Sequence, residues 1–171
     1  MPINVFVSVG KPFSPAQEAF VSSIEEHLKA NDLRPRTVGR SDFTHARPLQ
    51  FIDGLMDRCA GTIVIALERV CIERAFDRRG APQEKVLENV VIPTPWNHIE
   101  SAFAYAKALP ILVIKDERAR DEGLLEKGYD WYVHSTGIET EFLTSREFQG
   151  TFESWLRDVR RRAGWFSYRK I

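Results

Sequence analysis

The 171-residue chain predicts an α/β fold: a doubly wound parallel sheet in a flavodoxin-like three-layer sandwich, folded as a single domain over residues 1–171. Three observations lead there. Short apolar runs rich in β-branched residues alternate with segments whose apolar residues recur every three or four positions. The runs are apolar throughout, as strands covered on both faces are. Two of the helical segments open on a capping residue followed by proline, Ser14-Pro15 and Thr94-Pro95.

Ile3 to Val9 reads as a buried strand stopped by Gly10 and Pro12. After Ser14, the residues Ala16, Phe20, Val21, Ile24 and Leu28 form the apolar stripe of an amphipathic helix ending near Asn31-Asp32. Leu33 to Val38 predicts a shorter strand, and Pro35, which has no N–H for a ladder, puts it near a sheet edge. A polar loop spans Gly39 to Arg47. Pro48 then opens a helix carrying Leu49, Ile52, Leu55, Met56 and a buried Cys59. Thr62 to Leu67, TIVIAL, has the composition of a central strand. Glu68 to Asn89 is charged and weakly periodic, and residues 68–95 are expected to form an irregular insertion with at most a short helix. It serves as a lid or partner surface in this reading, because it leads into the next helix, which runs from Thr94 through Ala108. Pro110 to Lys115 is a further buried strand, followed by a loop with Gly123 and Gly128 and a strand over Asp130 to His134. Phe148, Phe152, Trp155, Leu156 and Val159 mark a last helix, and residues 163–171 form a tail with Trp165, Phe166 and Tyr168.

Composition excludes several function classes. Lys plus Arg and Asp plus Glu both number 24, so the formal net charge is zero. Such a balance gives no domain-wide attraction to nucleic acid or to an anionic membrane. The two cysteines, Cys59 and Cys71, lack zinc-ligand spacing, and no pair among the four histidines has ligand spacing on one helix, so no metal site is expected. There is no basic, apolar leader at the start and no run near the ~20 apolar residues of a membrane span. A cytoplasmic protein with no membrane partner is the simplest expectation.

In doubly wound sheets, ligands bind beyond the carboxyl ends of the strands, where the strand order reverses. That rule nominates four segments: Ser8–Ser14, Val38–Arg47, 68–95 with the helix start it leads into, and Lys115–Gly128. The helix starting at Thr94 is the most informative. Trp96 and Glu100 lie four apart and share a face. A carboxylate there suits cleavage of a bond to a sugar carbon, because it can stabilise or attack the positive charge that develops on the ring. Trp96 can stack on a base or exclude water, partial burial would raise the Glu100 pKa, and Asn97 offers amide groups to a ribose hydroxyl. A structural reading also fits: acidic residues favour first turns, Trp96 is a packing residue, and Asn97 closes a capping box with Thr94. In the first loop Gly10, Lys11 and the neighbouring Ser8 can face a phosphate, or form a plain turn. In Gly39–Asp42, Arg40 can pair with a diphosphate and Asp42 can hold a ribose, or the segment is a solvated loop with a salt bridge.

The run from Phe51 to Ile114 resembles the second half of a TIR domain. Ile63-Val64-Ile65-Ala66 and then Trp96-Asn97-His98-Ile99-Glu100 are similar to that family's strand and W-C-x-x-E helix start, and Val5-Phe6-Val7-Ser8 to its opening V-F-I-S strand. Asn97 stands where TIR domains carry cysteine. The chain also resembles the nucleoside 2-deoxyribosyltransferases, through Glu100, the Ala102–Ala106 stretch, Ala108-Leu109-Pro110 and the Lys11-Pro12-Phe13 loop. The glycine-threonine pair that precedes their glutamate is missing. Both resemblances imply a catalytic Glu100. The TIR resemblance implies NAD as a substrate and not a redox cofactor, a nucleotide signal in antiviral defence, and homo-oligomers or protein partners joined through the Gly39–Asp42 loop. The expected function is therefore a TIR-like NAD(+)- or nucleotide-directed N-glycosidase without a cofactor, with Ser8, Gly10, Lys11, Arg40, Asp42, Trp96 and Asn97 binding substrate. The rivals are deoxyribosyl transfer between bases and a non-catalytic module that senses nucleotides or assembles proteins.

Overall fold

The structure is a computed structural model that describes residues 1–45, 47–128 and 130–168. Five strands form one parallel sheet: β1 (Ile3–Val9), β2 (Leu33–Arg36), β3 (Thr62–Ala66), β6 (Ile111–Asp116) and β7 (Tyr132–Thr136), in the order β2-β1-β3-β6-β7. Between β3 and β6 the chain inserts an antiparallel ribbon, β4 (Val70–Asp77) and β5 (Lys85–Ile92). The helices are α1 (Pro15–Ala30), α2 (Pro48–Met56), α3 (Pro95–Ala106) and α4 (Arg146–Tyr168). Setting the ribbon aside, the strand order is that of a flavodoxin-like sheet. No described helix is long and apolar enough to cross a membrane.

The pleat divides the core into two layers. Val5 and Val7 of β1, with Ile63, Ile65, Leu112 and Ile114, pack against Phe20, Ile24 and Leu28 of α1 and Phe148, Phe152 and Trp155 of α4. The alternate residues face the other way: Phe6 meets Ile52, Leu55 and Met56 of α2 and Ala104 of α3, while Val64, Ala66 and Val113 meet Leu124 and Leu125 of a 3-10 turn before β7. The caps act as the sequence indicates. Ser14 Oγ accepts from Gln17 N–H at 3.2 Å, and proline stands at the first positions of α1 and α3.

Several expectations need correction. Residues 68–95 are not irregular. Their core is the ribbon, with Val70 opposite Ile92, Ile72 opposite Val90, Arg74 opposite Glu88 and Phe76 opposite Val86. Its turn uses left-handed backbone at Arg78 (φ 52°) and Gly80 (φ 80°). Both faces of the ribbon carry charges, which hid its two-residue period from a search for buried strands. β2 ends at Arg36, two residues early, because Thr37 O caps a tight turn by accepting from the N–H groups of Ser41 and Asp42 at 3.0 Å each. β7 begins at Tyr132 and runs two residues beyond His134. The expected tail from residue 163 is a continuation of α4 through Tyr168, residues 169–171 lying outside the described ones.

Gly61, just before β3, lies under α4. A methyl group there would sit 2.5 Å from Val159 Cγ2 and 3.1 Å from Trp155 Cζ2. Gly61→Ala is expected to lower unfolding stability by about 1–3 kcal/mol through overpacking. Gly54→Ala, in α2 with nothing within 4 Å of the added carbon, should be neutral or stabilising by up to about 1 kcal/mol. Urea titrations of both variants check the contrast.

Candidate active site

Chain direction places the site. β1 leads by α1 to the edge strand β2, whereas β3 leads away to β6 and β7, so the order reverses between β1 and β3. Ser8 lies at the carboxyl end of β1 on the same face as Phe6, turned toward α3. The first turns of α3 come down on that point. Asn97, with no exposed surface, donates from Nδ2 to Ser8 O at 3.2 Å and to Ser8 Oγ at 3.0 Å. With a lone pair so engaged, the Ser8 hydroxyl has its proton for the Glu100 carboxylate, to which it is hydrogen-bonded. Glu100 is 7% exposed. Burial pushes its pKa up to about 7, and the Ser8 hydrogen bond offsets only part of that rise.

Glu100 borders a cleft of about 570 Å³, within the ordinary range for small-ligand sites of roughly 300–1,000 Å³. Val9 at the end of β1, with Gly10, Lys11 and Phe13 of the β1–α1 loop, forms one lip; Leu67, Glu68 and Arg69 after β3 form another, and Thr94 and Trp96 complete the mouth. Val38, Pro48 and Ile52 close the side. Phe13 is 62% exposed and Trp96 40%, so two aromatic faces are open to an occupant. A methyl at Gly10 would lie 3.3 Å from Thr94 Cγ2, and this close approach of loop and helix start explains glycine there. Glu68 is ion-paired with Arg118 at 2.7 Å, which leaves Lys11 and Arg69 to set a positive field opposite Glu100.

The structure therefore brings Ser8, Gly10, Lys11, Trp96, Asn97 and Glu100 together. Arg40 and Asp42 are not at the cleft. Arg40 is held by Glu18 at 2.6 Å and Glu25 at 2.7 Å on the flank of α1. Asp42 is gripped by the Arg36 guanidinium, which holds its carboxyl below the usual range. Both serve the turn after β2. Asn97 stands beside Glu100, but its Nδ2 is engaged by Ser8 of β1; the cap of α3 comes from Thr94, whose Oγ1 accepts from Trp96 N–H at 3.4 Å. His98 lies beside Gly123, on the side of α3 away from the cleft.

Sequence reasoning missed Phe13, Gln17 and Arg69 as site residues. Gln17, 4% exposed, joins two lips: its Oε1 accepts from Phe13 N–H at 3.2 Å and its Nε2 donates to Glu68 O at 2.8 Å. The spacing Ser14-x-x-Gln17 is a capping-box signature and was the available signal. A second hollow of about 650 Å³, lined by Tyr105, Pro110, Trp131 and Arg162, adjoins Pro110 at the amino end of β6, remote from the switch point.

No protein-family model matches the chain, and no curated protein matches it. Among solved structures, the fold is similar to that of the CMP N-glycosidase BcmB of Clostridium botulinum, with a TM-score of 0.52 and 14% sequence identity, over 82% of this chain and 94% of that one. At that identity the likeness concerns the layered fold.

Raised by burial, the Glu100 pKa makes the folded chain hold a proton that the unfolded chain releases near the ordinary glutamate value of 4.5. The contribution is fully present below pH 4.5 and is lost as pH rises through about 7. Glu100→Gln should thus match the wild type in stability at pH 4 and exceed it at pH 8, by a difference on the order of 3 kcal/mol. Denaturant titrations at the two pH values measure this.

Proposed function

We propose that the chain is a nucleotide-directed N-glycosidase with Glu100 as its catalytic carboxylate. The observation that carries this reading is a single, nearly buried carboxylate, poised near neutrality, at the switch-point cleft between two exposed aromatic residues and two cations. Ionised Glu100 attacks or electrostatically stabilises the anomeric carbon as the bond to the base breaks. The base leaves with the bonding electron pair; water adds its oxygen to the sugar carbon, and the proton it gives up goes to the departing base, or to solvent where the base leaves neutral, as nicotinamide does. Ser8 orients the carboxylate, and Asn97 orients Ser8. Trp96 and Phe13 hold the base, and Lys11 and Arg69 meet the phosphate.

The fold shared with a CMP N-glycosidase supports the reaction class. NAD(+) belongs among the substrates to be tested, since its nicotinamide–ribose bond is of the same kind. The extension to a signal made in antiviral defence rests on the TIR resemblance alone.

The experiment is incubation of the protein with nucleoside monophosphates, the matching nucleosides and NAD(+), followed by chromatography of the released base. Glu100→Gln is expected to lose about two orders of magnitude or more in kcat. Trp96→Ala should mainly raise KM, through lost stacking worth about 1–3 kcal/mol. Wild-type rates in Glu100→Gln would remove the carboxylate from the mechanism. Transfer of the sugar to an added second base would mark a deoxyribosyltransferase, and binding without release of base would mark a sensing module.

A further inference from the structure

The β4–β5 ribbon is unusual in what it leaves uncovered. One face turns to its own domain: Val91 is buried and its N–H donates to Arg118 O at 3.3 Å, and Asp77 pairs with Arg120 at 3.6 Å. The other face is apolar and open. Val70, Phe76, Val86 and Ile92 are each 42–49% exposed, and Ile72 and Val90 between them are half-buried. A two-stranded ribbon is marginally stable in water without a partner for its apolar side.

The charges on that face indicate which partner fits. Within the strands they sit at one cross-strand position, Arg74 on β4 opposite Glu88 on β5; Arg79 of the turn reaches the same face at its end, 5.9 Å from the Phe76 ring centroid. The Arg74 guanidinium lies 5.7 Å from the Phe76 ring centroid, which fixes it on the apolar face. Now place a two-fold axis along the ribbon between its strands, with a second ribbon face to face on the first. Each β4 then lies over the partner's β5. Arg74 meets the partner's Glu88, and Glu88 meets the partner's Arg74. The apolar pairs follow the same operation, Val70 over the partner's Ile92 and Phe76 over the partner's Val86. A foreign protein would have to match this register by its own design, whereas a second copy matches it by symmetry.

We infer that two copies of this chain associate through the outer face of the β4–β5 ribbon, with Arg74 and Glu88 exchanging partners across a two-fold axis. Two strands of eight residues give a face roughly 25 Å by 10 Å, below the ~800 Å² per partner of a standard complex. The association is therefore reversible and concentration-dependent.

Sedimentation velocity of the full chain, from micromolar to near-millimolar concentration, tests it. The wild type should pass from monomer to dimer. Arg74→Glu and Glu88→Arg should each weaken dimerisation about tenfold or more, because like charges then face each other twice. Mixing the two variants should restore the dimer, since every contact across the axis is again between opposite charges. The pair within each ribbon remains mismatched in that mixture, so recovery cannot come from repair of the hairpin itself. A wild type that stays monomeric throughout, or single variants that dimerise as the wild type does, would overturn the inference. So would a mixture that fails to recover.

Discussion

The amide of Asn97, buried without exposed surface and bonded to both the backbone and the hydroxyl of Ser8, is the contact on which the site depends. It is made across the layer boundary, from the first turns of α3 to the last residues of β1, where a parallel sheet leaves its strand ends open. A donor in that position cannot be left unsatisfied without a cost of about 1–3 kcal/mol, so the helix start is held to one place on the strand. One turn further along, Glu100 inherits that position. Its carboxylate is buried because α3 is seated, and its elevated pKa follows from the burial. The site accepts a polar cost in return: Asn97 Oδ1 has no hydrogen-bond partner among the described residues.

Around that contact, the lips of the cleft are tied by side chains of other elements. Gln17, in the first turn of α1, joins the β1–α1 loop to the end of β3, and Arg118 joins Glu68 to Asp116 at the end of β6. The lips of the cleft are thus tied to neighbouring elements, which suits the positioning that the proposed reaction requires. The turn after β2 is separate. Its charged residues are all spent locally, on Glu18, Glu25 and Arg36, and its shape comes from hydrogen bonds to Thr37.

What was legible in the sequence follows from how strongly local chemistry dictates each piece. Ser14-Pro15 and Thr94-Pro95 fix helix starts by capping and by the proline φ angle, and TIVIAL can only be a buried strand. The place of Glu100 at the cleft was legible because helix position and the switch-point rule converge on it. Arg40 was misread because a charged side chain in a loop has several partners within reach, and Glu18 and Glu25 on α1 cannot be seen from the local sequence. The ribbon was missed for a different reason. Only Val91 of its sixteen strand residues reaches the core, so the pattern that reveals core strands is absent, and the doublets Glu73-Arg74 and Glu88-Asn89 interrupt its alternation. Phe13 and Arg69 needed the fold itself, which alone shows that two loops separated along the chain by α1, β2, α2 and β3 face one another.

The ribbon begins and ends at nearly the same point in space, for Arg69 N–H donates to Ile92 O at 3.1 Å. An inserted segment whose two feet touch adds no length to the connection it interrupts. Mutation can lengthen, recolour or remove such an appendage while β3 and α3 keep their separation and their register with the sheet. The proposed association surface is thereby uncoupled from the cleft beside it, and the two are free to evolve at different rates on one scaffold.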